Sequence, residues 1–551
     1  MLIRSGRCGL ASIKEVIFTQ NDELIGDVIQ LANQKIIGSS MELRGYTKAI
    51  FITLSLCLVL ALVACESPLS RYSSTPANKS NQTEQQCRNL YRLTDLAYAV
   101  EPGRVFPATE SIPSHCKVRA VINRAIQVEV TMPTNDWNGR MMFSTVGGGA
   151  GSIGDITSLL SRGFAMASTD TGHESQDMNF MTQPEALLDY GYRGVHLATQ
   201  FAKATIQQYY AAKIRYAYLQ GCSNGGRAAM LEATRFPDDY DGIIAGAPLF
   251  GFAEFVPWAM QAARHQAKNP LTQASLDLLD ANSRHVCDAL DGVEDGVIND
   301  PRLCTIKALD LDKLTCEEGE QTGCLSRGQI QTAQYIYQGL LDQNGNTVAP
   351  GVMPGAEAAG DWAMWMFPSD LLGDGSQSLN DSMAASLATM MRRVPSFDIG
   401  QFNPVTDYAQ LDELHFMDVS TADLSEFKAG GGKLLMYQGW NDFPLRPERA
   451  INYLHKVQSE NGGVEKTGDF FRLFMVPGMI HCATGPGAWM ADYVDPIVNW
   501  TEKNVAPNQI NATSQSKSNG FSRPLCVYPK LAHYDGKGDT SKASAYHCEV
   551  N

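Results

Sequence analysis

Residues 218–248 read YLQGCSNGGRAAMLEATRFPDDYDGIIAGAP, and this stretch decides the fold. A β-rich run leads into the pattern G-x-S-x-G at residues 221–225, and a helical pattern follows at once. The motif places its serine, here Ser223, on a sharp strand-to-helix turn, where the glycines let neighbouring chain pass without a clash. The unpaired N–H groups at the helix start can face a developing oxyanion. A plain glycine turn is the alternative, but the strand and helix context favours Ser223 as a nucleophile.

A serine hydroxyl is a poor nucleophile until a base takes its proton, so a carboxylate and a histidine should follow the serine in that order. Two later strand-like runs supply them. Residues 433–450, KLLMYQGWNDFPLRPERA, put Asp442 just past a buried strand. Residues 470–488, FFRLFMVPGMIHCATGPGA, put His481 in the loop after the next strand. We therefore predict that His481 is the general base and that Asp442 orients it.

Other acids and histidines compete for these roles. Asp170 and His173 also follow a strand, but they precede Ser223 and would need a different topology. Four more histidines stand in helical or terminal contexts, which are typical of surface or structural residues: His415, His455, His533 and His547. The order of the chain thus favours Asp442 with His481.

Short apolar runs alternate with helical patterns on both sides of the motif, which is typical of a mostly parallel sheet with crossover helices. The predicted strands are residues 126–131, 139–146, 164–169, 216–220, 242–245, 433–438 and 470–476. Residues 251–428 break this alternation and show helical segments such as 252–268 and 328–341. The sequence predicts an α/β fold: an α/β-hydrolase core with a mostly parallel sheet, formed by residues 87–250 and 429–551, and interrupted by a lid domain.

The N-terminal segment has the pattern of a bacterial export signal. Basic residues precede an apolar run at residues 49–64, which is too short for a comfortable membrane span, and Cys65 follows. The junction LVAC resembles a lipoprotein cleavage box. We therefore predict that residues 1–65 are extra N-terminal sequence and a lipoprotein-type signal peptide, with Cys65 lipidated, and that residues 66–86 are a polar tether. A simple signal peptide or an uncleaved anchor is the alternative.

The chain carries 13 cysteines, which is many for a reduced compartment. Cys8 and Cys57 lie in processed sequence and Cys65 would take the lipid, which leaves ten and suggests five disulfides. The predicted location is therefore outside the cytoplasm: lipid-anchored to the bacterial outer membrane, or periplasmic or secreted. A formal net charge of -15, without a clustered basic stripe, argues against nucleic acid as a partner.

Around Ser223 and His481 the chain resembles the tannase and feruloyl esterase family of α/β hydrolases, which includes mono(2-hydroxyethyl) terephthalate hydrolase. The family's mark is a disulfide between a cysteine directly before the catalytic serine and another directly after the catalytic histidine, here Cys222 and Cys482. Such a bridge would hold nucleophile and base at bonding distance. The resemblance runs from about residue 87 to the C-terminus. It implies a serine carboxylesterase that cleaves aromatic esters through an acyl-enzyme, with no organic cofactor.

The glycine cluster STVGGGAGSIGD, residues 144–155, follows an early strand and is similar to the family's oxyanion loop. By that resemblance the backbone N–H of Gly148 pairs with that of Asn224 to hold the tetrahedral intermediate. Gly149 is the alternative donor, and a flexible surface loop is the alternative to an oxyanion loop.

The predicted lid contains an acidic loop, CDALDGVEDGVINDPRLC, at residues 287–304. Asp288, Asp291 and Asp295 fall within eight residues, a density of oxygen ligands suited to calcium, although the spacing is not that of an EF-hand. The resemblance implies a structural Ca²⁺ here that also binds the backbone carbonyls of Val293 and Val297 and fixes the lid. A solvated acidic turn is the alternative.

The resemblance also implies the remaining cysteine pairs, because sequence alone does not choose among connectivities. Besides Cys222 with Cys482, the implied pairs are Cys287 with Cys304, Cys316 with Cys324, Cys526 with Cys548, and Cys87 with Cys116.

The substrate implied by the resemblance is a small ester of ferulate, another hydroxycinnamate, gallate or a terephthalate monoester. Leu445 lies three residues past Asp442, where the terephthalate-monoester enzyme carries an aromatic residue, and this departure argues against that activity. Acyl specificity should lie in the lid, where an aromatic wall and a cation are available from Trp362, Trp365, Phe367, Arg392 and Arg393. The rivals are a peptidase or acyltransferase on the same fold, and a catalytically silent lipoprotein that binds aromatic esters.

Overall fold

The computed structural model describes residues 76–175, 178–319, 322–369, 375–393, 398–515 and 520–550. The predicted signal peptide, the predicted lipidation site Cys65 and the start of the predicted tether lie outside these residues. Within the described part of the chain, no helix combines the length and the apolar character that a membrane crossing requires.

The second half of the predicted tether is helical. Helix α1 (Pro76–Arg88) covers it, and the disulfide of Cys87 with Cys116 ties the end of this helix to the sheet. Its polar composition gave the appearance of a linker, because the described side chains of this helix before Cys87 lie mostly in solvent. Residues 76–86 of the predicted tether are therefore part of a regular helix.

Helices and strands alternate through most of the chain. The helices are α1 (Pro76–Arg88), α2 (Pro184–Leu188), α3 (Gly194–Tyr210), α4 (Asn224–Arg235), α5 (Phe252–Lys268), α6 (Gln273–Cys287), α7 (Ile306–Leu309), α8 (Arg327–Gln338), α9 (Asp361–Met366), α10 (Leu379–Met390), α11 (Ser425–Ala429), α12 (Glu448–Glu460), α13 (Val464–Gly468) and α14 (Val494–Lys503). The strands are β1 (Tyr98–Val100), β2 (Arg104–Phe106), β3 (His115–Ile122), β4 (Ile126–Pro133), β5 (Arg140–Ser144), β6 (Ala165–Thr169), β7 (Tyr216–Ser223), β8 (Gly242–Pro248), β9 (Leu340–Leu341), β10 (Thr347–Ala349), β11 (Lys433–Gly439), β12 (Phe471–Val476), β13 (Met490–Ala491), β14 (Gln509–Thr513), β15 (Ser522–Cys526), β16 (Leu531–Tyr534) and β17 (Tyr546–Glu549).

A ten-stranded sheet with the order β1-β3-β4-β6-β5-β7-β8-β11-β12, and with β2 also paired to β3, carries the fold. From β6 to β12 in this order, each strand is parallel to its neighbour. The pairs β1–β3, β2–β3, β3–β4 and β4–β6 are antiparallel. The carboxyl ends of the parallel strands meet at one edge, where loops can converge on a ligand. This is the α/β-hydrolase architecture that the sequence predicted.

The parallel strands are buried on both faces because helices cover each side. Leu219, in β7, belongs to the core cluster that includes residues of α3, α4 and α12. Its neighbour Tyr218 belongs to the opposite cluster, which includes Trp500 of α14. Successive residues of a strand point to opposite faces, so the near-continuous apolar runs read from the sequence correspond to a sheet covered on both sides.

The chain leaves the sheet after β8 and returns only at β11, so residues 249–432 form an insertion. Its own core includes Trp258, Leu276, Ile330 and Trp362, together with Phe443 from the loop that follows β11. The strands described within it are the short pair β9 and β10, and its other regular elements are helical. The packing of Phe443 joins this insertion to the loop in which the sequence placed the catalytic acid.

Candidate active site

Ser223 occupies the sharp turn between β7 and α4. Its backbone has φ 64° and ψ -125°, a conformation that an L-residue adopts only where the surrounding structure holds it. A side chain at Gly221 would place its Cβ 1.8 Å from Oγ1 of Thr145 and 2.6 Å from the carbonyl oxygen of Gly225. The motif therefore needs glycine two residues before the serine, because the next helix turn and the neighbouring loop occupy that space.

His481 and Asp442 come together at the ends of β12 and β11. Nδ1 of His481 lies 2.9 Å from Oδ2 of Asp442. Asp442 is fully buried, and it accepts hydrogen bonds from the Leu445 N–H at 2.7 Å and from Nε2 of Gln438 at 3.0 Å. These two bonds fix the carboxylate, so it can in turn fix the imidazole ring with its proton on Nδ1 and leave Nε2 to accept a proton.

The electrostatics of His481 suit a general base. Burial lowers the pKa of His481, but the charge of Asp442, the hydrogen bond to it and the charge of Asp361 outweigh this, so the pKa stands above its ordinary value. A neighbouring carboxylate stabilises the imidazolium that forms when the ring takes a proton.

A disulfide joins the nucleophile turn to the base loop. The Cys222 and Cys482 sulfurs are 2.07 Å apart and their Cα atoms 6.0 Å apart, across a sequence separation of 260 residues. The Sγ of Cys482 also lies 3.7 Å from Nε2 of His481. Since Cys222 directly precedes Ser223, this bond brings the serine turn to the side of the ring that carries Nε2.

The glycine cluster follows β5 and borders the nucleophile. A Cβ built at Gly147 would lie 3.6 Å from Cβ of Ser223, and Gly148 has φ 58°. Asn224, the first residue of α4, donates from Nδ2 to the carbonyl oxygen of Val146 at 3.2 Å. The loop and the helix start predicted to form the oxyanion hole are therefore in direct contact.

Two side chains that the sequence did not assign bind carbonyl groups of the glycine loop. The Tyr190 hydroxyl donates to the carbonyl oxygen of Gly148 at 3.1 Å, and Nε2 of His173 lies 2.6 Å from that of Gly149. His173 also stacks on Phe180, with ring centroids 3.7 Å apart. With their carbonyls engaged in this way, the peptide units of the loop are fixed in orientation. His173, set aside as a rival base, thus contacts the loop that the sequence predicted to supply the oxyanion hole.

The other competing residues bond elsewhere. Oδ1 of Asp170 accepts from the N–H groups of Gln127 and Gly172, and burial raises the pKa of Asp170 to about 6. His415 pairs with Asp412 and Asp418, and His547 pairs with Asp535 and Glu549. None of these contacts involves Ser223.

Comparisons with known proteins show the family to which the chain belongs. The model of the family described as "tannase and feruloyl esterase" matches residues 111–549. The chain belongs to this family. An uncharacterised esterase of Xanthomonas campestris pv. campestris is 31% identical over 82% of this chain and 87% of its own length. The mono(2-hydroxyethyl) terephthalate hydrolase of Piscinibacter sakaiensis is 26% identical over 87% of this chain and 92% of its own.

Solved structures share the fold of this tannase and feruloyl esterase family member. Feruloyl esterase B from Aspergillus oryzae superposes with a TM-score of 0.75 at 23% identity, covering 85% of this chain and 100% of the other. Tannin acyl hydrolase from Aspergillus niger gives a TM-score of 0.69 at 23% identity, covering 85% and 95%. The family and its fold identify the protein as a carboxylic ester hydrolase.

The ten described cysteines of this family member form five disulfides. They are Cys87–Cys116, Cys222–Cys482, Cys287–Cys304, Cys316–Cys324 and Cys526–Cys548. These are the pairs that the family resemblance implied.

The insertion of the esterase contacts the catalytic loops through a residue that the sequence did not single out. Oδ2 of Asp361, at the start of α9, accepts from the backbone N–H of His481 at 2.7 Å and from that of Phe443 at 3.4 Å. No local motif marks this aspartate, because its partners lie far along the chain and are backbone groups.

The residues expected to shape the acyl site take different positions. Trp362 is buried in the core of the insertion, with its ring centroid 5.4 Å from that of Phe443. The Trp365 ring meets Phe255 edge-on at 5.7 Å. Phe367 packs partly buried on the same core, Arg392 is exposed, and the side chain of Arg393 is outside the described part. Leu445 is buried beside Asp442.

Each of the three aspartates of the acidic loop accepts a hydrogen bond from a backbone N–H of the same loop. Asp288 accepts from the N–H of Gly296, while Asp291 and Asp295 accept from the N–H groups of the predicted carbonyl ligands, Val293 and Val297. Burial, together with the nearby charges of Asp295 and Asp288, raises the pKa of Asp291 to about 6. Asp295 also pairs with Arg523. The three carboxylates offer hard oxygen donors to a cation, and the guanidinium group of Arg523 already contacts one of them, Asp295.

A second acidic group lies between α3 and the end of α4. Among the described residues, His196, Glu232 and Asp239 are the group whose potential ligand atoms all lie within 4.8 Å of one another. Nζ of Lys203 lies 3.3 Å from Oδ1 of Asp239, and Nδ1 of His196 lies 2.7 Å from its Oδ2. The cluster thus has metal-type donors, but an ammonium group already supplies its positive charge.

Proposed function

We propose that the protein hydrolyses aromatic carboxylic esters through an acyl-enzyme, with Ser223 as nucleophile, His481 as general base and Asp442 orienting the base. The observation that carries this proposal is the bond of Nδ1 of His481 to Asp442, on a loop that a disulfide fastens to the residue before Ser223. A covalently fixed base beside a strained serine turn is the arrangement that serine hydrolases need.

The reaction follows from these roles. His481 takes the Ser223 proton through Nε2 while the hydroxyl oxygen attacks the ester carbonyl. The N–H groups of Gly148 and Asn224, or of Gly149 in place of Gly148, receive the negative charge of the tetrahedral intermediate. The imidazolium then protonates the leaving alcohol. Water attacks the acyl-enzyme by the same route and releases the acid.

Feruloyl or another hydroxycinnamoyl ester, or a galloyl ester, is the proposed substrate class. The named relatives support it, since several are probable feruloyl esterases, such as one of Aspergillus flavus at 29% identity over 77% of this chain. Terephthalate monoesters are the alternative, favoured by the Piscinibacter sakaiensis relative and disfavoured by the aliphatic Leu445.

A panel of methyl ferulate, methyl gallate, chlorogenate and mono(2-hydroxyethyl) terephthalate, with product identification, tests this choice. We expect free hydroxycinnamic or gallic acid to appear faster than terephthalate. Preferential release of terephthalate would favour the alternative. Transfer of the acyl group to an added alcohol, or cleavage of peptides, would identify an acyltransferase or a peptidase. Binding of the esters without turnover and without labelling by a fluorophosphonate would identify a silent binding protein.

We further propose that residues 251–428 act as a lid whose acidic loop binds a structural Ca²⁺. Carboxylates of Asp288, Asp291 and Asp295 would hold the ion, with carbonyls of Val293 and Val297. Besides burial, the charge of Asp288 raises the pKa of both Asp291 and Asp295, and this proximity of hard oxygen donors supports the assignment. The ion would supply charge neutralisation to the loop, with no part in the ester chemistry.

Calcium is therefore expected to stabilise the folded protein. An ion that binds only the native state adds about 2.7 kcal/mol at a concentration one hundred times its Kd, so the melting temperature should rise with CaCl₂ and fall with EDTA. Asp291→Asn should abolish this response. Asp412→Asn, at an exposed carboxylate of the same insertion, should retain it. Equal melting temperatures of the unaltered protein in CaCl₂ and EDTA would contradict the site.

We also propose that the protein is exported and anchored through a lipid on Cys65. The five disulfides support an oxidising compartment, and the apolar run before Cys65 supports a lipoprotein signal. Metabolic incorporation of palmitate that Cys65→Ala removes checks the anchor. Incorporation that persists in this variant would exclude Cys65 as its site.

A further inference from the structure

Asp361 links the insertion to both loops that deliver the base and the acid. Its Oδ2 accepts from the N–H of His481 itself and from the N–H of Phe443, the residue directly after Asp442. The distances are 2.7 and 3.4 Å, and Asp361 is only 2% exposed. One buried carboxylate oxygen thus fixes the backbone at the base and next to the acid.

A second contact of the insertion supports the same alignment. Nδ2 of Asn441, the residue directly before Asp442, donates to the carbonyl oxygen of Pro354 at 2.9 Å. The two residues that flank Asp442 are therefore bonded to one short stretch of the insertion, residues 354–361, Asn441 through its side-chain amide and Phe443 through its backbone N–H. Buried hydrogen bonds of this kind are costly to leave unmade, so the stretch and the acid loop should move as one body.

The charge of Asp361 also acts on the imidazole. The described groups that act electrostatically on His481 are Asp442 and Asp361, both acidic. Burial and the charge of Asp442 together raise the pKa of Asp361 to about 6, against the lowering effects of His481 and of the two N–H donors. Arg446 interacts with Asp442 from the same acid loop. A second carboxylate near the ring adds to the stabilisation of the imidazolium.

We propose that Asp361 is a positioning residue of the insertion: it ties the base loop to the acid loop, and its negative charge strengthens His481 as a base. The inference rests on the proposed triad. It assigns to the insertion a part in assembling the catalytic groups, in addition to any part in substrate selection.

Two substitutions separate the charge of Asp361 from its hydrogen bonds. Asp361→Asn keeps an oxygen that can accept both N–H groups and removes the charge. Asp361→Ala removes both. Asp280→Asn is the matched control, because Asp280 is another buried carboxylate of the insertion and is paired with Arg284 instead of the catalytic loops. The measurements are the pH dependence of kcat/KM and the pH dependence of the rate of Ser223 labelling by a fluorophosphonate, which remains measurable when turnover is slow.

The acid limb of both profiles should move to lower pH by about one unit in Asp361→Asn, because loss of a nearby negative charge lowers the pKa of the histidine. In Asp361→Ala, kcat should also fall by about a hundredfold, since the base loop loses its alignment. The control should keep the profile of the unaltered protein. An acid limb that stays in place in Asp361→Asn overturns the inference, whatever happens to kcat.

Different results would disprove the proposed ester hydrolysis and the proposed role of Asp361. Ester hydrolysis that survives in Ser223→Ala would remove the proposed function and with it the base that Asp361 is held to serve. An inactive Ser223→Ala beside an unshifted Asp361→Asn would remove only the role of Asp361. Asp361→Asn replaces a carboxylate by an amide of the same shape, so it remains informative if Asp361→Ala does not fold.

Discussion

Ser223→Ala is expected to abolish ester hydrolysis, with a fall in kcat of about 10⁶-fold, the size of loss seen when a serine hydrolase loses its nucleophile. The alanine keeps the turn between β7 and α4 but has no oxygen to form an acyl-enzyme. Binding of the substrate should persist, because neither the glycine loop nor the insertion changes. The measurement is the hydrolysis rate on the best ester of the panel, together with labelling by a fluorophosphonate and mass analysis of the labelled peptide.

A surface serine of the hydrolase domain, far along the chain from Ser223, provides the control for this result. Ser459 is exposed on α12, so Ser459→Ala should keep both turnover and labelling. Residual activity in Ser223→Ala comparable to that of Ser459→Ala would show that another group performs the attack. Labelling on a different serine would point to where that group is.

Removal of the Cys222–Cys482 bond should lower both activity and stability. With both cysteines replaced by serine, the base loop is held only by hydrogen bonds, and misplacement by about 1 Å can cost about a hundredfold in kcat. The bond spans 260 residues of sequence, so loop-closure entropy assigns it about 5 kcal/mol of the free energy of unfolding. Denaturant titration and steady-state kinetics on the same sample measure the two effects.

The Cys316–Cys324 bond is the matched control, because it spans only 8 residues and lies within the insertion. Its replacement by two serines should cost about 2.5 kcal/mol by the same relation and leave kcat close to that of the unaltered protein. If the two double variants had the same kcat, the Cys222–Cys482 bond would have no specific part in aligning the serine turn and the base loop.

The features predicted well from the sequence are those with local signals. The turn around Ser223 is marked by glycines whose absence would cause clashes, and the strands are marked by apolar runs that two covered faces require. Cysteines directly beside Ser223 and His481 identify the bond between them through family resemblance. The predicted β5 ran to residue 146, whereas the strand ends at Ser144, because the glycine loop begins there.

The features that the sequence did not reveal depend on long-range contacts with backbone groups. Tyr190 and His173 bond to carbonyl oxygens of the glycine loop, and Asp361 accepts from N–H groups near His481. Backbone partners carry no side-chain identity, so no residue pattern announces such a contact. The polar sequence of α1 resembled a linker for a different reason: its described side chains before Cys87 lie mostly in solvent, although its end is fastened to the sheet.

The order of the elements along the chain affects how this protein is made. Strand β7 and its serine are in the first half of the polypeptide, whereas β12 and the loop after it come close to its end. A ribosome therefore has to translate the whole insertion before it adds His481, the residue proposed to activate Ser223. With the proposed triad, nascent chains and chains truncated before β12 carry the nucleophile without its base, so we expect hydrolysis only from the nearly finished protein.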